Sequence, residues 1–158
     1  MVILPAIAIT VLKFLEVALK IKLPAVSPFH AFTIAKSAFR AGFVLSDQWN
    51  QANLGNYSVG LGHTPLASGA YSSIGGGYKN TASGQYSSIP GGFQNVAAGD
   101  YSFAAGHEAI ASHRGSFIWA DYTPTSSTSA FQTGASNQFV IRARNGVGIG
   151  TANTTTSV

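Results

Sequence analysis

The sequence predicts a mainly β protein whose centre is a parallel β-solenoid. Two features of composition and one of pattern lead there. Charged residues make up 9% of the 158-residue chain, against roughly 25% in an ordinary soluble domain. Exposed helical faces need more Glu and Lys than that, so a lone helical bundle is disfavoured. The 18 glycines, set among Ser, β-branched and aromatic residues, suit short strands joined by tight turns. The pattern is a repeat of near fifteen residues in the middle of the chain. Hydrophobic residues at 46% exclude disorder by composition. The absence of cysteine excludes disulfides and thiolate metal sites. A chain this poor in charge is expected to gain stability by oligomerising.

The formal charge of +4 is spread thinly. Residues 1–56 carry Lys13, Lys20, Lys22, Lys36 and Arg40 against Glu16 and Asp47, and the remainder is nearly balanced. No basic run or stripe of stacking aromatics follows, which excludes a nucleic-acid partner as the reading.

Three zones divide the chain at 1–56, 57–115 and 116–158. The first opens on an apolar run that Lys13 interrupts, too short for the roughly 20 residues of a membrane span. It has neither the basic n-region nor the cleavage site of a secretory signal. From Thr10 to Leu23 the charges Lys13, Glu16 and Lys20 fall on one helical face. A helix capped by Thr10 and stopped by Pro24 is predicted there, its broad apolar face wanting a partner surface. That surface is its own oligomer or a neighbouring protein; a membrane-lying helix and a degenerate export signal are the alternatives. Residues 25–56 read as a small mixed segment, since periodicity does not separate helix from strand there.

The middle zone reads as four units. Tyr-Ser pairs stand at 57/58, 71/72, 86/87 and 101/102, and a recurrent alanine at Ala67, Ala82, Ala97 and Ala111. Each unit fits one coil of two strands, about five residues apiece, and two turns. Gly62, Gly76, Gly91 or Gly92, and Gly106 fall where one corner needs a positive φ or no Cβ. Gly69, Gly84 and Gly99 do the same at the opposite corner. The four alanines are placed inside a narrow tube. Ser58, Ser72, Ser87 and Ser102 are expected to stack as hydroxyl ladders, each reaching backbone or its neighbour. Four such coils bury little apolar surface, so several chains are expected to pack side by side.

The pattern Y-S-x-x-x-G…N-x-A-S-G across 57–115 resembles the head repeat of trimeric autotransporter adhesins and of phage tail-fibre proteins. The resemblance implies a left-handed parallel β-roll, with three chains around one axis. The sequence departs from the pattern at Pro65 and Pro90, and at His113-Arg114, read as an insertion. In the third zone Phe139, Ile141 and Ala143 alternate with Val140, Arg142 and Arg144, a strand by period two, and Asn145-Gly146 supplies a turn. The segments FIWAD and NQFVIRARNGVGIGT resemble the stretch that follows such heads in phage and prophage tail fibres. A self-cleaving chaperone often comes next in that family; here it is expected to be absent, already removed or never encoded.

Chemistry finds little purchase. Gly75-Gly76-Gly77-Tyr78-Lys79 misses the spacing of a phosphate loop, and Gly146, Gly148 and Gly150 lack the offset of a dinucleotide fingerprint. With five acidic residues and no nucleophile elbow, no enzyme, catalytic residue or cofactor is expected. His63 and His107 follow corner glycines at one repeat position; three copies of either could hold a metal on a trimer axis, against the plainer reading as ordinary corner residues. Tyr78, Lys79 and Phe93 project from successive coils and are candidates for receptor contact, by stacking on sugar rings, or for an interchain interface.

The resulting expectation is a homotrimeric fibre protein of a virion tail. It would bind other tail or baseplate proteins through residues 1–56 and meet a glycan or protein on the host surface. A bacterial trimeric surface adhesin is the alternative, but its leader, coiled-coil stalk and membrane anchor are not read in the sequence. A membrane-associated assembly protein using helix 10–23 is the third reading, tested by liposome flotation.

Overall fold

The computed structural model describes residues 31–33, 36–122 and 131–149. The helix predicted over 10–23 lies outside them. The described chain is mainly β and holds no α-helix, only a 3-10 turn at Gln51–Asn53.

Two sheets carry it. The first runs in the order β1 (Ala31–Thr33), β2 (Ala38–Phe43), β3 (Val59–His63), β5 (Ser73–Ile74), β7 (Ser88–Ile89), β10 (Phe103–His107), β12 (Phe117–Ala120) and β14 (Phe139–Arg142), with β8 (Gly92–Phe93) also paired to β10. The second runs β13 (Phe131–Gln132), β11 (Ala109–Ala111), β9 (Val96–Ala97), β6 (Thr81–Ala82) and β4 (Leu66–Ala67). Every pairing is parallel except β1 with β2, which is antiparallel. From β3 onward the chain alternates between the first sheet and the second, except that β7 and β8 both belong to the first. Ile74, Ile89, Ala104 and Ile118 from the first sheet meet Ala67, Ala82, Ala97 and Ala111 from the second, all at 0–1% exposure. The alanines predicted inside are therefore inside.

A column of residues in the left-handed region defines the repeat: Ser37, Tyr57, Tyr71, Tyr86, Tyr101, Gly115 and Asn137, with φ between 49° and 66°. Each amide from Tyr57 onward donates to a carbonyl of the unit before, in the series Lys36, Asn56, Ala70, Gln85, Asp100 and Arg114. The stack thus has seven units rather than four, and it runs through both sequence boundaries, 56/57 and 115/116.

Three details of the repeat differ from expectation. The central strands have two residues, not five, and the five-residue form occurs only at β3 and β10. The units of Tyr71 and Tyr86 carry one extra residue between the interior isoleucine and the corner glycine, which breaks the strand as a bulge does. The parallel bridges His63 to Tyr78 and Tyr78 to Phe93 put Gly77 and Gly92 in the column of Gly62 and Gly106. Gly76 and Gly91 are the extra residues and stand outside it. A Cβ on Gly77 or Gly92 would strike the carbonyl oxygen of the next corner glycine, whereas one on Gly76 or Gly91 would meet nothing within 4 Å. At the other corner Gly69, Gly84 and Gly99 are required for the same reason of contact, without a positive φ.

His113-Arg114 is not an insertion. His113-Arg114-Gly115 takes the places of Gly99-Asp100-Tyr101: a Cβ on Gly99 would strike His113 O, and the Gly115 amide donates to Asp100 O at 2.8 Å. The serine ladder is also corrected. Ser58 Oγ donates to Gly55 O at 2.6 Å and Ser116 Oγ to Ala135 O at 3.1 Å. The Ser72, Ser87 and Ser102 hydroxyls are buried without a hydrogen-bond partner. On the outward face, by contrast, Ser73 Oγ donates to Ser88 Oγ of the next unit at 3.2 Å. Pro65 is buried in the column of Asn80, Asn95 and Ala109, while Pro90 is exposed beside the extra residue of its unit.

Candidate functional site

The first unit closes one end of the stack with a side chain. Arg40 points inward in the register of Gly60 and is 0% exposed. Its guanidinium donates to Phe39 O, Ser58 O, Ser58 Oγ and Ala67 O at 2.7–3.0 Å, while Nε has no partner. Burial pushes its pKa down to about 10, so it stays charged at neutral pH. Gly60 makes room for it, since a Cβ there would stand 3.0–3.4 Å from the arginine side chain.

Rings stack along both corners. Tyr57, Tyr71, Tyr86 and Tyr101 form one column with centroids 4.8–5.0 Å apart and interplanar angles of 6–13°. Arg114 caps it, 5.4 Å from the Tyr101 centroid. At the other corner Phe43, His63, Tyr78, Phe93 and His107 follow at 4.8–5.2 Å, and Tyr122 closes the series edge-on to His107. His63, His107, Tyr78 and Phe93, read from the sequence as two separate features, occupy one column.

That geometry decides what those residues can offer. His63 and His107 are separated by Tyr78 and Phe93 and do not meet within the chain; each is held between two rings. No group of three or more candidate metal ligands exists among the described residues. Both faces of Tyr78 and of Phe93 are covered by neighbouring rings. A sugar would find ring edges there, not the open faces on which pyranoses stack. Lys79, with its ammonium 5.2 Å from the Tyr78 centroid, remains an exposed polar handle on that edge.

Sequence reading missed two features. One is Arg40. The other is the outward face of the first sheet, where Phe39, Val59, Ser73, Ser88, Phe103, Phe117 and Phe139 share a register column. Phe103, Phe117 and Phe139 stack at 4.6 Å. Beside them lie Leu61, Trp119 and Ile141. Phe39 is 42% exposed, Trp119 38% and Phe139 71%.

Comparison with protein-family models, with curated proteins and with solved structures found no match to this chain.

Proposed function

We propose that the chain is a homotrimeric fibre protein of a phage or phage-like tail, each copy a left-handed parallel β-roll that contributes stiffness and a repeated surface. The observation that carries this reading is the seven-unit stack, in one register, across two parallel sheets with an alanine and isoleucine interior. Such a stack resists bending because each unit is hydrogen-bonded and ring-stacked onto the next. Attachment to tail or baseplate proteins falls to residues 1–56, within which the first described unit of the stack begins at Ser37. Contact with the host surface uses the repeated corner bearing Tyr78, Lys79 and Phe93, through ring edges and the ammonium group. Three copies on one axis would multiply a weak contact by avidity.

Light scattering on the full chain tests the reading. The expected native mass is three times 16.4 kDa; a mass of one chain overturns the trimeric roll.

A further inference from the structure

We infer that the tyrosine column is a site of oxidative cross-linking, where a haem peroxidase with hydrogen peroxide joins Tyr71 to Tyr86 and staples one unit of the stack to the next. The inference concerns a single chain and holds whatever the number of copies. Tyr57, Tyr71, Tyr86 and Tyr101 all stand in the left-handed region, with φ of 58° or 59°. That conformation strains a residue with a Cβ and favours glycine. Gly115 and Asn137 fill the same column in later units, so the turn itself does not call for a ring. Four successive tyrosines supply phenols there, not turn geometry.

The way the phenols meet suits coupling. Sharing one backbone conformation, the four side chains leave the stack in the same direction and lie nearly parallel. Tyr71 and Tyr86 are the closest and most nearly parallel pair, at 4.8 Å and 6°, so the ring carbon beside each hydroxyl-bearing carbon faces its counterpart. Among the described residues these rings are 44–58% exposed, open to an oxidant at their edges and free to turn on their side-chain bonds. Rings joined edge to edge keep their centres near the present separation, so coupling needs that turn and no backbone shift. The other two of the six tyrosines have no such partner: Tyr78 lies between His63 and Phe93, and Tyr122 meets His107. Arg114 sits over Tyr101, and its charge disfavours loss of an electron from that ring. The inner pair is therefore the first to react.

Each phenol gives up one electron and one proton. The two radicals form a carbon–carbon bond, and the two ring hydrogens pass as protons to the phenol oxygens as aromaticity returns. The pair loses two hydrogen atoms in all, which reduce one hydrogen peroxide to two waters.

The test treats the dilute full chain with the peroxidase and peroxide, then digests the single-chain band of a denaturing gel with trypsin. Cleavage after Lys79 separates residues 41–79 from 80–114. The expected product is these two peptides joined, two hydrogens lighter than their sum. Tyr78 stands nearer to Tyr86 in sequence than Tyr71 does, so coupling without the column would run through it. Tyr71→Phe is therefore expected to abolish the joined pair and Tyr78→Phe to keep it. No joined pair, one that survives Tyr71→Phe, one lost with Tyr78→Phe, or cross-links only between chains would overturn the assignment and leave the fibre reading standing. The cross-linked chain is expected to melt several degrees above the untreated one, as a chain closed by a disulfide does; an unchanged melting temperature overturns the stapling.

Discussion

Arg40 is a cation buried among neutral acceptors, and the ledger of its hydrogen bonds decides what it is for. Ser58 O also accepts the Phe39 amide and Ala67 O the Gly55 amide, so removing the guanidinium strands neither carbonyl. What the side chain supplies is volume at the end of the interior, opposite Gly60. Arg40→Met, which keeps length and sheds the desolvation of a charge, is expected to leave unfolding free energy within about 1 kcal/mol of the parent. Arg40→Ala opens a void and is expected to cost about 2–4 kcal/mol. Urea denaturation distinguishes them, and equal losses would assign the role to the hydrogen bonds instead. The pH dependence has a definite sign. The folded-state pKa, about 10, lies below arginine's ordinary value, so above pH 10 the unfolded chain binds more protons than the folded one, and stability from this group rises only as pH climbs above 10. Between pH 6 and 9 the arginine is charged in both states, and the Arg40→Met difference should be flat.

At the scale of the element, the bulged units and the asparagines belong together. Asn80 and Asn95 occur only in the two units with an extra residue; Pro65 and Ala109 fill the same place in the units without one. The reason is in the hydrogen bonds. Asn80 Nδ2 donates to Gly76 O and Gly92 O at 2.9 and 3.0 Å, and Asn95 Nδ2 to Gly91 O and Gly106 O at 3.1 and 2.9 Å. Their Oδ1 atoms accept the amides of Asn95 and Ala109. Each amide thus ties the carbonyl of an extra glycine to the next unit. Asn95→Ala is expected to lose about 1–3 kcal/mol, the cost of buried groups left unpaired. Deleting Gly91 removes one of the acceptors, so the deletion and Asn95→Ala should be less than additive in thermal unfolding. Full additivity would show that the asparagine and the bulge are independent.

Across the whole molecule, legibility followed periodicity. The four central units were plain because their tyrosines and alanines recur at intervals of 14 or 15. Ser37-Ala38-Phe39-Arg40-Ala41-Gly42-Phe43 matches Tyr101-Ser102-Phe103-Ala104-Ala105-Gly106-His107 in design. It escapes a fixed-period reading because the turn at Gln51–Asn53 and its flanks lengthen that unit. A longer sixth unit, which starts at Gly115, likewise hides Asn137. The extra glycines shift the corner register by one, which is why Tyr78 and Phe93 did not line up with the histidines. The outward face could not be read until that register was known, and Arg40 looked like any surface cation. One consequence concerns where the fold can be cut. A chain starting at Tyr57 loses the partner of β3, the side chain that fills the end of the interior, and the Lys36 contact to Leu54 O at 2.7 Å. It exposes β3 as a bare parallel edge, open to unwanted pairing. Residues 57–158 are therefore expected to melt several degrees below the full chain and to aggregate on heating. Equal melting of 57–158 and the full chain would show that the first unit adds nothing to the stack it covers.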